Sequence, residues 1–524
     1  MIDQNKANTR NSVVKSSFIV GGMTFISRVS GFIRDIIFAN VFGASSNTDA
    51  FFVAFKIPNF FRRLFAEGAF IQSFVPILNE YKTTKPLEVK KLISYIQGNL
   101  GLILFFITLL GIVFSENIIN IFAPGFTEYD IRYALASDML KITFPYLFFI
   151  SLTAMYAGIF NTYDKFLLPS ITPVLLNISL ITATIYSSHL SYTPIMSLAY
   201  GVLIAGIIQY FIQLPFLYKM NLLVMPRINF SFIGVNKVLK LMLPAIVGTA
   251  VVQINLIVDS IVASMLAPGS ISWLYYSDRL VEFPLGVFGI AIATVILPLL
   301  SAKYSSKDMI GFKNTLSNSL KVVLIFSLPA MFGLILLSDH IIMSLFQYGS
   351  FTNNDTNMSS LSLVAYSLGL PAFILMKVLL TGFFSRQNTK TPVKYGLIAV
   401  AFNIFMNTIV VLYYLSNPFD GAHAMLALAT SLSAWIQVIL LYLRLKKDEV
   451  IYNSNIFNKE PFISIVSCII MLVILGSILI EPIELAKNEY YIRGLLLGLY
   501  IIMGGLVYII SMYILGYKFK KSLS

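Results

Sequence analysis

Several ionisable residues sit where an apolar chain should have none. Arg28, Arg34 and Asp35 fall in one apolar run, Lys56, Arg62, Arg63 and Glu67 in the next, and Asp278, Arg279 and Glu282 in a later one. Asp138, Lys141, Asp259 and Lys377 are embedded elsewhere. A charge facing lipid at the centre of a helix costs about 2.5–3.5 kcal/mol, so this many cannot all face lipid. Lys141 and Asp138 lie toward a helix end and can snorkel. Arg28, Arg62 and Arg63 lie mid-run and must face a protein interior that holds water or an anion.

Spacing sorts these groups onto faces. Arg28 and Asp35 are seven apart, Lys56, Arg63 and Glu67 follow spacings of seven and four, and Asp278 and Glu282 are four apart with Arg279 three from Glu282. Residues so spaced share a helix face, so each acid can hold a nearby base in an empty site. Bases outnumber acids on these three segments, and arginine forks grip phosphate oxygens bidentately, which suits a diphosphate. A second reading stays open: the same groups are structural ion pairs that lock helices together. The two are compatible, because such pairs can also serve as gates.

Other polar groups carry less. Asp259 lies in an apolar run, and Asn403 and Asn407 are four apart in another. A carboxylate with amide oxygens suits a small cation such as Na⁺; a hydrogen-bonded packing cluster is the alternative. The single Cys468 excludes an intramolecular disulfide and a cysteine metal site,. His189, His340 and His423 are scattered in connectors and read as interfacial side chains. No Gly-rich phosphate loop, HExxH or CxxC occurs, so a transporter is expected rather than an enzyme, without an organic cofactor. Na⁺ or the membrane potential is the candidate coupling.

The elements that position these residues follow from composition. The chain has 524 residues, 57% of them hydrophobic and 12% charged, with a mean hydropathy of +0.81. A soluble domain is roughly 25% charged. The chain is therefore an all-α polytopic membrane protein, which excludes a cytosolic enzyme, a secreted disulfide scaffold and a disordered tail. Its net charge of +13 points to cytoplasmic loops rather than to nucleic acid,. The polar N-terminus and first apolar run read as a retained first helix, not a cleaved signal.

At roughly 20 residues per span, about fourteen spans are expected: 17–39, 48–79, 93–115, 134–159, 166–187, 194–217, 237–262, 272–301, 317–338, 357–384, 393–414, 422–443, 461–480 and 493–516. Basic connector residues gather on one side, in every second connector, and the other side holds only Arg132, Lys487 and Arg493. That asymmetry places both termini in the cytoplasm.

The chain also repeats itself. PYLFFISLTAMYAGIFNTYDKFLLPSITPVLLNI from Pro145 matches PAFILMKVLLTGFFSRQNTKTPVKYGLIAVAFNI from Pro371, with the same interval to Asn177 and to Asn403. FVPILNEYK, containing Pro76, matches ILPLLSAKY, containing Pro298. An even number of spans separates the copies, so they are parallel repeats. The expected division is an N-lobe over 1–218, a C-lobe over 219–447, and two further helices over 448–524. Two six-helix lobes leave a midplane cleft lined by the embedded charges, and the uniformly apolar final helices suit a lipid-tail groove.

The stretch SRVSGFIRDIIFANVFGASSNTDAFFVAFKIPNFFRRLFAEGAFIQSFVPILNEYK, Ser27 to Lys82, closely resembles the first two helices of the MurJ (MviN) lipid II flippases, within the multidrug/oligosaccharidyl-lipid/polysaccharide exporter superfamily. LKITFPYL, ISWLYYSDRLVEFPLGVFGIA, SLFQYGSFT and FFSRQNTKTPVK extend the likeness over nearly the whole chain. The resemblance implies alternating-access translocation of an undecaprenyl-diphosphate-linked peptidoglycan precursor to the outer leaflet of a bacterial cytoplasmic (inner) membrane; a flippase for another polyprenyl-diphosphate glycan, of O-antigen type, is the alternative. It implies cationic cavity residues at Arg28, Arg34, Arg62 and Arg279, acids at Asp35, Asp49 and Glu67 with Asp278 beside Arg279, and matched serines at Ser27 and Ser272. In some members a second-lobe sodium site is implied, where Asp259, Asn403 and Asn407 fall, with Asn at one position that others fill with Asp. The partners implied are lipid II, the bilayer and cell-wall synthesis or division machinery; the protein itself is expected to be a monomer.

Overall fold

In lipid every backbone N–H and C=O must be satisfied within the protein, and a helix does this by itself. Helix is accordingly the regular element throughout the described residues. The computed structural model describes residues 2–127, 130–190, 193–451 and 459–517, with no side chains for 2–20, 65–67, 190, 247–252, 254–256, 290 and 483. Among the described residues, 11 helices are long and apolar enough to cross a membrane. The expected spans 17–39, 48–79 and 237–262 also fall on helical segments. Basic residues Lys6, Arg10, Lys15, Lys518, Lys520 and Lys521 lie outside the described side chains.

The chain forms two units, Met1–Pro268 and Gly269–Ser524. The first holds α1 (Ile2–Phe42), α2 (Ser46–Phe61), a π-helical segment (Arg62–Phe70), α3 (Ile71–Thr84), α4 (Val89–Val113), α5 (Ser115–Phe122), α6 (Ile131–Thr143), α7 (Tyr146–Thr162), α8 (Leu167–Ile185), α9 (Ser187–Leu190), α10 (Met196–Phe211), α11 (Leu214–Lys219) and α12 (Ile233–Ser264). The repeat assigns α12 to the second lobe, yet it packs within the first unit, against the π segment and α3. Phe74, Leu78, Leu92, Tyr156, Val235 and Val238 share one buried cluster there.

The connector before α12 is strapped to α4. Arg227 N donates to Ser94 O at 3.1 Å, and Asn99 mimics a backbone, accepting from Asn229 N at 2.9 Å and donating to Asn229 O at 2.9 Å. Gly98 makes the approach possible, since a Cβ there would lie 2.2 Å from Arg227 O.

The second unit holds α13 (Ser270–Pro284), a π-helical segment (Leu285–Ile290), α14 (Ala291–Ser305), α15 (Met309–Leu336), α16 (Ser338–Phe346), α17 (Asn353–Ser367), α18 (Leu370–Phe384), α19 (Lys390–Ser416), α20 (Ala422–Lys447), α21 (Lys459–Ile478), α22 (Pro482–Leu485) and α23 (Tyr490–Ile514). The two π segments occupy matching places in the repeat, each a few residues before the paired prolines Pro76 and Pro298. The expected spans 134–159 and 357–384 are each broken in two, before Tyr146 and Leu370 respectively. Pro145 and Pro371 stand at the starts of the second pieces, where the missing N–H gives up no helical hydrogen bond,.

Candidate functional site

Within the first unit, α1 and α8 meet through polar side chains. Arg34 donates to Asp35 Oδ1 from Nε at 3.0 Å and from Nη2 at 2.7 Å, while its Nη1 donates to Asn177 Oδ1 at 2.9 Å. Asn177 Nδ2 in turn donates to Ser27 O at 3.0 Å and lies 2.9 Å from Ser30 Oγ. Arg34 is 7% exposed and Asp35 1%. The helical spacing offered Asp35 to Arg28; its carboxylate instead holds the adjacent Arg34, which reaches it without leaving the buried face. Arg28 is exposed, with no partner among the described residues.

Around α2 the expected residues separate. Asp49 is fully buried in the first turn, where a carboxylate complements the positive helix end,. Lys56 Nζ donates to Ser260 Oγ of α12, in a small hollow lined by Val53, Ile57, Phe60, Phe122 and Ile257. Asn59 Oδ1 accepts from Arg62 Nε at 3.1 Å and so aims a half-buried guanidinium. Arg63 beside it is exposed. Both arginines open the π segment, whose wider turn alters the facing expected of Lys56, Arg63 and Glu67 from α-helical spacing,. The Glu67 side chain lies outside those described.

Within the second unit, spacing predicted one pair correctly. Arg279 Nη1 donates to Glu282 Oε2 at 2.8 Å. Its guanidinium also lies 4.9 Å from the centre of the Tyr275 ring, one helical turn back. Sequence reasoning passed over Tyr275, although its separation of four from Arg279 was a usable signal. Asp278 is exposed and Ser272 fully buried.

Asn177, a landmark of the repeat in sequence, is the centre of the Arg34 network. Its counterpart Asn403 is also buried: Asn407 Nδ2 donates to Asn403 Oδ1 at 2.5 Å, and Asn403 Nδ2 donates to Thr430 Oγ1 at 3.1 Å. Asn403 thus shares its oxygen with the Asn407 amide. Asp259, half-buried, belongs to the first unit. Among the described residues no group of three His, Cys, Asp or Glu could hold a metal.

The chain is 47% identical over 438 residues to a protein of Vibrio cholerae named probable lipid II flippase MurJ, covering 82% of each. It is 40% identical over 512 residues to the same-named protein of Buchnera aphidicola subsp. Schizaphis graminum, covering 97% and 98%. Among solved structures, "Lipid II flippase MurJ, inward closed conformation" matches with TM-score 0.79 at 31% identity, over 95% of this chain and 98% of that one. An inward-facing multidrug transporter of the MATE family, of the MOP superfamily, matches at 11% identity with TM-score 0.64 over 82% and 98%, a likeness of fold. The family model described as "Lipid II flippase MurJ" matches residues 38–501. With most of its length so matched, this chain belongs to the MurJ lipid II flippase family.

Proposed function

We propose that this chain carries lipid II across the cytoplasmic membrane of a bacterium by alternating access, without a covalent step. Family membership is the observation that carries this reading. It is supported by the exposed Arg28 and Arg63 and the Asn59-aimed Arg62, guanidinium groups suited to diphosphate oxygens,. Arg279, stacked on Tyr275 and held by Glu282, is a further anion contact. Arg34 has a different part: it positions α1 against α8, and the substrate arginines with it.

The finer reading has fourteen spans, both termini cytoplasmic, and lobes divided as 1–218 and 219–447 with a C-terminal pair over 448–524 that offers its apolar surface to the polyprenyl tail. The protein acts as a monomer beside cell-wall synthesis or division machinery. No step is routed through a sodium ion. A negative-inside potential favours cationic groups toward the cytoplasm by about 2.3 kcal/mol per charge per 100 mV, which can reset the empty carrier.

Complementation tests the proposal. Cells depleted of their own lipid II flippase should be rescued by the wild-type protein and not by Arg28→Ala present at equal membrane level. Failure of well-expressed wild type would shift the substrate to another polyprenyl-diphosphate glycan.

A further inference from the structure

Helices α21 and α23 lie outside the internal repeat, and a single hydroxyl chain ties them to α15. Pro329 lies inside α15, and proline has no N–H to give to the carbonyl four residues back, that of Ile325,. The hydroxyl of Tyr508, on α23, donates to Ile325 O at 2.7 Å. With its one proton so used, Tyr508 accepts the second bond, from Ser464 Oγ of α21 at 2.8 Å,. One buried carbonyl opened by a proline therefore gathers three helices. An unmet carbonyl in lipid costs several kcal/mol, so the opening strongly favours a partner.

The pair is held at other heights as well. Toward one end Lys321 Nζ lies 3.1 Å from Glu460 Oε2. Toward the other, His340 Nε2 lies 2.8 Å from Ile480 O, and Arg493 Nη1 donates to Gln347 O at 3.5 Å. Tyr508 and Ser464 supply the link between these ends, in the stretch where apolar packing has no hydrophobic drive.

We propose that Tyr508 is a positioning residue for transport: by closing the carbonyl that Pro329 opens, it makes the C-terminal helix pair a rigid part of the second unit. Its importance for transport rests on the function proposed above; its docking role does not.

The native Cys468, fully buried one turn from Ser464, reports undocking directly, because the chain has no other thiol. In membrane vesicles holding the full chain, N-ethylmaleimide should modify Cys468 about tenfold faster in Tyr508→Phe than in wild type. Complementation should weaken at unchanged membrane level. Pro329→Ala returns an N–H to Ile325 O, so Pro329→Ala/Tyr508→Phe should label as slowly as Pro329→Ala alone and complement as well. Ser464→Ala, which spares the Ile325 bond, should label at a rate between wild type and Tyr508→Phe; it stands in if Tyr508→Phe does not accumulate. Labelling of Tyr508→Phe at the wild-type rate would overturn the docking role. So would a double variant that labels as fast as Tyr508→Phe, or Ser464→Ala at the wild-type rate. Fast labelling with full complementation would overturn only the role in transport.

Discussion

Arg34 and Asn177, far apart in sequence, are joined by a 2.9 Å hydrogen bond from Nη1 to Oδ1, and the same guanidinium holds Asp35 through Nε and Nη2. A cation expected to meet substrate is thus built into the contact between α1 and α8. The exposed Arg28, on the same helix, is available for a ligand.

This separates two arginines that sequence ranks alike. Arg34→Ala removes the guanidinium from the buried Asp35 carboxylate and should cost about 3–5 kcal/mol, seen as a lower unfolding temperature in detergent and lower membrane levels. Arg28→Ala should unfold like wild type and lose transport.

The opening made by Pro58 in α2 is closed by Thr143, whose hydroxyl donates to Ala54 O at 3.1 Å between buried helices. Thr143→Val keeps the shape and removes the donor. Thermal unfolding should show a loss of about 1–3 kcal/mol. In a Pro58→Ala background, where the helix supplies its own N–H, the loss should largely disappear.

Asp130 caps α6, accepting from Arg132 N at 2.8 Å and from Arg132 Nε at 2.6 Å. Burial alone would raise the carboxyl's pKa, yet the hydrogen bonds and charge of Arg132 outweigh it and hold the group below its ordinary value,. A depressed carboxyl adds stability that is complete above its unfolded value, about 3.9, and is lost as pH falls through the folded one. Protection of the amides in the first turn of α6, measured against their intrinsic exchange rate at each pH, should fall on acidification over that window, and Asp130→Asn should remove this dependence.

Gly98→Ala would drive a Cβ into the Arg227 carbonyl, 2.2 Å away, and backbone cannot yield as a side chain can. The strap over Arg227–Asn229 should then lift from α4. Trypsin added to inside-out vesicles should cut after Arg227 in the variant and spare the wild type.

Replacing Na⁺ by K⁺ should leave flipping in proteoliposomes unchanged, because the Asn403 oxygen is engaged by the Asn407 amide. A sodium requirement abolished by Asn403→Ala would restore the cation reading of this cluster.

Much of the architecture was legible because lipid leaves the chain few choices. Apolar runs of span length must be helical, so each expected span falls on a helical segment of the structure,. Pro145 and Pro371 likewise stand at helix starts, where a proline gives up no helical hydrogen bond,. Local pairs at helical spacing, such as Arg279 with Glu282, also follow from sequence alone.

Tertiary structure decided which embedded charges are consumed within the protein. Arg28 and Arg34 are the same residue type on one helix, and only the approach of α8 distinguishes them, because Asn177 meets one and not the other. It also decided where the carbonyls opened by Pro58 and Pro329 find donors, since Thr143 and Tyr508 come from distant parts of the chain. Periodicity fixes a residue's angle about its own helix axis. The identity of the neighbouring helix, and hence of the partner, exists only once the chain has packed.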